Sequence, residues 1–140
     1  INQYLKPLLE HNALLLVAMP IRDFTAKEVI INSYLSKPVE NMSFGPLQQL
    51  GFQKEDFKPN NTDKDLKVQL EYVENTVRAY YISDKAIYIG DKLIKKGTRF
   101  DVVSSWKPTL EEFKTALEAD FNIEKVISNQ AFAFVLCSKK

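Results

Sequence analysis

The strongest constraint on the fold is a contrast in hydrophobic patterning between the two ends of the chain and its middle. Residues 13–20 (ALLLVAMP) and 131–137 (AFAFVLC) are apolar runs without alternation. Such runs are typical of strands that are buried on both faces of a parallel sheet. Residues 66–105 instead alternate apolar and polar side chains between short turn sequences, which predicts an antiparallel meander. We therefore expect 13–19 and 131–137 in one sheet, and a separate antiparallel sheet within 66–105.

The rest of the chain predicts helices and one final hairpin. Leucines at helical spacing indicate a helix over 2–11, and capping boxes of Thr25 with Glu28 and Thr109 with Glu112 begin two more. The proline-rich stretch 36–63 predicts an irregular bridge with one short helix over 46–50. Strands over 121–127 and 131–137, joined by an Asn-Gln turn, form a hairpin at the edge of a mostly parallel sheet. A buried helix stays an alternative for 13–20, because a short apolar run has no decisive period.

Composition excludes several classes of function. The chain has 140 residues, 45% of them hydrophobic and 26% charged, which is typical of one folded domain. A net charge of +1 gives no reason to expect nucleic acid or an anionic membrane as partner. One cysteine, Cys137, and one histidine leave almost no ligands for a zinc site, and they favour a reducing, cytoplasmic location. We expect Cys137 to be a small buried apolar residue.

Motifs for phosphate binding and for nucleophilic catalysis are absent. The four glycines are never closer than six residues, so no Gly-x-Gly loop exists. No Gly-x-Ser-x-Gly elbow occurs either, so a hydrolase nucleophile has no candidate. The chain opens with Ile1, and its terminal strands need other strands to pair with, so we expect a fragment of a longer fold. These observations alone indicate a mixed α/β domain and do not point to a particular function.

Several stretches, in order, are similar to the C-terminal half of the histidine-specific SAM-dependent methyltransferase family. They are the strand that begins at Ala13 (ALLLV), a helix that ends in Tyr34, residues 50–57 (LGFQKEDF), residues 96–105 (KGTRFDVVSS) and residues 132–136 (FAFVL). A strand over 66–70 (LKVQL) stands where the family has a strand that contacts substrate. The resemblance covers nearly the whole chain, and it depends on the ordered set with matching gaps rather than on any single motif.

The resemblance implies an α/β fold: part of a Rossmann-like methyltransferase sheet with an inserted antiparallel β-meander, of mixed α+β appearance. Residues 1–35 and 106–140 would belong to the methyltransferase sheet, and 36–105 would form the substrate-binding insertion. The cofactor would be S-adenosyl-L-methionine (SAM), bound by an N-terminal half that precedes this region, and the substrate would be an amino acid or related small amine. Tyr34, Leu70, Val103 and Ser105 would line the substrate pocket, with Tyr34 and Ser105 as its hydrogen-bonding groups.

Two departures from the family pattern affect this interpretation. Where the histidine enzymes have a glutamate that grips the imidazole, two residues before the serine, this chain has Val103, which cannot accept a charge-assisted hydrogen bond. Asp101 is expected to share a strand face with Val103 and Ser105, because residues two apart point the same way, and it is a further candidate for the amine. The absent SAM loop leaves three alternatives open: a small-molecule-binding module, a protein-interaction domain, and an unrelated α+β domain.

Overall fold

A computed structural model describes residues 12–22, 27–129 and 131–140. Its contacts divide the chain into two compact units, Ile1–Ala26 with Lys107–Lys140, and Lys27–Trp106. The helix predicted over 2–11, the capping residue Thr25 and one residue of the predicted turn at 129–130 lie outside the described residues. Residues 27–35, which the sequence-based division places with the termini, belong to the second unit. The assignment of these two parts to a cofactor sheet and a substrate insertion stays a prediction.

The fold is mixed α+β, and all its sheets are antiparallel in the described residues. The elements, in chain order, are β1 (Leu14–Pro20), α1 (Lys27–Tyr34), α2 (Lys37–Gln49), a 3₁₀ turn (Lys54–Asp56), β2 (Gln69–Val73), β3 (Thr76–Ile82), β4 (Ile87–Ile89), β5 (Lys92–Ile94), β6 (Arg99–Trp106), α3 (Leu110–Glu118), β7 (Phe121–Ser128) and β8 (Phe132–Lys139). The strand orders are β1-β8-β7, β2-β3-β6 and β4-β5. Among the described helices, none has the length and apolar character needed to cross a lipid bilayer.

The first unit is a three-stranded sheet with one helix on one face. The two terminal apolar runs belong to one sheet, as predicted, and they pair directly with each other, with Leu16 of β1 opposite Leu136 of β8. Helix α3 begins with the predicted capping box, in which Thr109 and Glu112 each accept a hydrogen bond from the other's backbone N–H. Its apolar face packs on the side of the sheet that includes Cys137, which is fully buried as expected.

The prediction that β1 is buried on both faces of a parallel sheet is wrong in the described residues. β1 has one partner, β8, and the two strands run antiparallel. Leu14 and Leu16 point away from the face that α3 covers, and Leu16 is 64% exposed. Phe132 and Phe134 of β8 lie beside them on the same open face and are also exposed. An apolar run therefore indicated a strand correctly here, but not its pairing direction.

The predicted meander is antiparallel and separate from the sheet of the terminal strands, but it forms two sheets rather than one, the three-stranded β2-β3-β6 sheet and the β4-β5 hairpin. A two-residue turn joins β2 to β3, and both of its residues, Glu74 and Asn75, have positive φ values of 50° and 58°. This is the backbone geometry that matches the twist of two paired strands. Side chains on one face of the sheet, which we call the inner face, are fully buried at Val77, Ala79 and Tyr81. Around Tyr81 the core is mainly aromatic, with edge-to-face ring contacts that include Phe44, Phe57 and Phe100.

The prediction of an irregular bridge over 36–63 is wrong in its first half, where α2 spans 13 residues. Ser36 caps the helix by accepting the N–H of Val39 at 3.4 Å, and Pro38 stands in the first turn, where no backbone N–H is needed. Pro46 lies inside the helix, although proline has no backbone N–H to donate to the preceding turn. Phe44 and Leu47, on either side of it, are buried in the core, and this burial outweighs the effect of the proline.

A buried carboxylate joins α2 to the segment before β2. Glu40 is 2% exposed and accepts the backbone N–H groups of Lys67 and, at 3.2 Å, Val68, as well as the Lys54 ammonium at 3.3 Å. The Tyr81 hydroxyl donates to the Glu40 carbonyl oxygen at 3.2 Å, and burial raises the pKa of Tyr81 to about 12. Helix α2 is therefore attached to the sheet by polar contacts as well as by apolar packing.

We expect Glu40→Ala to lower the free energy of unfolding by about 2–4 kcal/mol, because each buried amide left without an acceptor costs about 1–3 kcal/mol. Urea unfolding followed by circular dichroism measures the change. The matched control is Glu55→Ala, an exposed glutamate in the 3₁₀ turn, which should change stability by less than about 0.5 kcal/mol. A loss below about 1 kcal/mol in Glu40→Ala would show that this contact is incidental.

Candidate functional site

The pocket residues that the resemblance implies lie on two neighbouring rows of the β2-β3-β6 sheet. In the first row Tyr72, Val77 and Ser105 stand side by side, one from each strand. In the second row Leu70, Ala79 and Val103 do the same. Both rows face the inner side of the sheet, because Val77 and Ala79 at their centres are fully buried on that side. Leu70, Val103 and Ser105 are therefore neighbours, although they come from strands distant in sequence.

Helix α1 lies over the first row. Its last residue, Tyr34, donates its hydroxyl proton to Ser105 Oγ at 3.1 Å. Its first residue, Lys27, places its ammonium 5.9 Å from the centre of the Tyr72 ring at the other end of the row. The structure thus brings two implied substrate-binding residues into direct contact, with Val103 in the adjacent row.

The prediction that Asp101 shares a face with Val103 and Ser105 is wrong. Strand β6 has a register shift: Val103 pairs with Ala79, but Asp101 pairs with Tyr80, so one residue between them has no partner. This β-bulge reverses the alternation of side chains, and Asp101 faces the opposite, outer side of the sheet. There its carboxylate accepts two hydrogen bonds from Arg99, at 2.9 and 2.7 Å.

The outer side of the sheet has a charged network of its own. The Arg99 guanidinium lies over the Tyr80 ring at 3.7 Å and donates to both Glu71 carboxylate oxygens, at 2.5 and 3.2 Å. These hydrogen bonds lower the pKa of Glu71 below its ordinary value. The charged groups are all in part solvent-exposed, so water screens the ion pairs and they add little to stability. They do determine the position of the Asp101 carboxylate.

The inner site has hydrogen-bonding groups but no carboxylate. Its two rows contain no acidic residue; the hydroxyls of Tyr34 and Ser105 meet at one end of the first row, and Tyr72 with the Lys27 ammonium lies at the other end. Hydroxyls both donate and accept, so they orient a polar head without requiring it to be charged. The half-buried Leu70 and Val103 pack against the core beside them and provide an apolar surface.

Two residues of the inner site were missed from the sequence. Tyr72 occupies the same row as Ser105, and Lys27 reaches its ring. Tyr72 had a usable signal, because strict alternation along β2 places it on the same face as Leu70. Lys27 had no such signal in the sequence, because its approach to Tyr72 depends on how α1 crosses the sheet.

Comparison of the chain with protein-family models and with curated proteins finds no match.

We expect the Tyr34–Ser105 hydrogen bond to appear as an energetic coupling of about 0.5–1.5 kcal/mol in a double-mutant cycle of Tyr34→Phe and Ser105→Ala. The free energy of unfolding of the wild type, both single variants and the double variant gives the coupling. Ser104→Ala is the matched control, because Ser104 is the adjacent serine on the outer face. Equal coupling of Tyr34 to both serines, or none to Ser105, would contradict the contact.

Proposed function

We propose that this chain supplies the substrate pocket of a SAM-dependent N-methyltransferase that acts on an amino acid or a related small amine. The observation that carries the proposal is the 3.1 Å hydrogen bond between Tyr34 and Ser105. The family resemblance implies these two residues as polar contacts of the substrate, and they are 71 positions apart in the sequence. Their meeting on one face, beside Val103 and Leu70, is what a pocket built from these residues requires.

The first unit supports a second part of the proposal, that it is the end of a Rossmann-like sheet. β1 and β7 run in the same direction, since both are antiparallel to β8 between them. A helix, α3, leads into β7 on one face, as in the crossover connections of α/β proteins. Among the residues that the structure describes, β1 has no partner on its second edge, and none of them covers the apolar face opposite α3. We propose that further strands and helices of an N-terminal, SAM-binding half cover both.

The residues of this chain do not themselves fit SAM. Gly45 lies inside α2, and the other glycines are single turn residues with positive φ, so no glycine-rich loop precedes a helix. SAM therefore belongs to the proposed N-terminal half, where it would supply the methyl group. The single cysteine is buried and unpaired, which is compatible with the proposed cytoplasmic location.

The proposed task of this chain is to bind and orient the amine. Tyr34 and Ser105 would hold its polar head by hydrogen bonds, and Leu70 and Val103 would contact its carbon skeleton. Methyl transfer between bound reactants depends mainly on proximity and orientation, so a pocket without an acid or base is sufficient for this part of the reaction. The apolar Val103 favours a less polar head than imidazole.

One observation favours a second candidate, a non-catalytic domain that binds a small molecule or another protein. The β1 edge strand is apolar, and the open sheet face beside it exposes Leu14, Leu16, Phe132 and Phe134. Unpaired edges and apolar patches of this kind are features of protein-interaction surfaces. The two candidates differ in whether the complete gene product binds SAM.

Calorimetric titration with SAM separates these candidates. If the methyltransferase proposal is correct, the complete gene product that contains this sequence binds SAM saturably, whereas the 140-residue chain alone does not, because it lacks a loop for the cofactor. The isolated chain is thus the matched control. No binding by the complete product would overturn the proposal in favour of an interaction domain, and saturable binding by the chain alone would overturn the proposed division of roles.

We expect free histidine to be a poor substrate of the complete enzyme and Val103→Glu to raise kcat/KM for histidine by about tenfold. The added carboxylate would accept a charge-assisted hydrogen bond of about 1.5–3 kcal/mol, part of which is lost to imperfect fit. Asp101→Asn is the matched control and should leave selectivity among amines unchanged, since Asp101 faces the other side of the sheet. Efficient methylation of histidine by the wild type, unaltered in Val103→Glu, would show that the pocket lies elsewhere.

A further inference from the structure

We propose a second ligand site at the β6 bulge, on the outer face of the β2-β3-β6 sheet, that binds a free α-amino acid as a zwitterion. A cleft of about 440 Å³ opens there, and its lining residues are Arg78, Asp101, Val102, Val103 and Ser104. It combines a cation, an anion and a hydroxyl within one small concave surface. This site lies on the opposite face of the sheet from Tyr34 and Ser105, so it goes beyond the proposed function and does not depend on it.

Arg78 binds the carboxylate of the ligand in this proposal. Within the described residues its guanidinium makes one ion pair, with Glu71 at 4.0 Å, and donates no hydrogen bond. Both oxygens of Glu71 already accept hydrogen bonds from Arg99. Arg78 therefore keeps its planar set of N–H donors for a ligand, and this geometry matches a carboxylate bidentately.

Asp101 accepts a hydrogen bond from the ammonium of the ligand. Both hydrogen bonds from Arg99 end on one oxygen, Oδ1. The other oxygen, Oδ2, accepts no hydrogen bond in the part of the chain that the structure describes. Because Arg99 holds the carboxylate in place, little side-chain entropy is lost when Oδ2 accepts a hydrogen bond from a ligand.

Arg78 and Asp101 are near enough on the sheet for one small ligand to contact both. Arg78 lies opposite Ser104 and Asp101 lies opposite Tyr80, so Arg78 and Asp101 form a diagonal pair. Diagonal neighbours across two strands are about 7–8 Å apart. Both side chains project from the outer face and line the same cleft, so the carboxylate and the ammonium of one amino acid can each be met by a group of opposite charge. The Ser104 hydroxyl lies on the same face as Arg78 and is a further hydrogen-bonding group.

The test is an NMR titration of the 140-residue chain with leucine, with 4-methylpentanoate, which lacks the ammonium, and with isopentylamine, which lacks the carboxylate. We expect leucine to shift the amide signals of 101–104 and of Arg78 saturably, with a Kd in the millimolar range. Each analogue should bind at least about tenfold more weakly, because it forfeits one charge-assisted contact. Arg78→Gln and Asp101→Asn should each weaken leucine binding by a similar factor.

One control makes the outcome decisive. Lys92→Gln, which removes an exposed cation on the β4-β5 hairpin, should leave leucine binding unchanged. The proposal is overturned if leucine gives no saturable shift at roughly 10 mM, if the two analogues bind as well as leucine, or if Arg78→Gln binds like the wild type. Shifts confined to Tyr34 and Ser105 would also overturn it, while supporting an amine pocket on the inner face.

Discussion

The bulge in β6 determines which side chains face the candidate pocket. One residue, Val102, has no partner in β3, and the alternation of side chains reverses across it. Val103 and Ser105 therefore face inward, toward Tyr34, while Asp101 faces outward, toward Arg78. If Val102 instead paired with β3 in regular alternation, Asp101 would face inward with Val103 and Ser105, and the inner site would carry a negative charge. The bulge thus separates a hydroxyl-lined face from a charged face on a single three-stranded sheet.

This separation has a chemical consequence for selectivity. On the inner face the Tyr34 and Ser105 hydroxyls orient a polar head but cannot neutralise a cation, so a neutral amine loses less solvation there than an ammonium does. On the outer face Arg78 and Asp101 offer both charges and suit a zwitterion. The register of β6 relative to β3 therefore gives the two faces different groups, hydroxyls on the inner face and an arginine with a carboxylate on the outer face.

Much of the secondary structure could be predicted from the sequence. Side chains alternate between the two faces of a strand, so the period-2 pattern of 66–105 indicates strands, and the terminal apolar runs indicate strands as well. Helix α2 could not, since Pro46 argues against a helix locally and only the burial of Phe44 and Leu47 favours it. The pairing direction of β1 and the bulge in β6 depend on partner strands, which no local pattern reports. Tyr34 and Ser105 came from the family resemblance, and their contact depends on the path of α1 across the sheet.

The central claim is that an amine binds on the inner face, between α1 and the row that ends in Ser105. The most direct measurement is an NMR titration of the isotopically labelled complete gene product, saturated with SAM, against a panel of small amines. The account predicts saturable shifts at Tyr34, Tyr72 and Ser105 that Tyr34→Phe weakens. Shifts confined to β1, β7 and β8, or amine binding that Tyr34→Phe and Ser105→Ala leave unchanged, would contradict it.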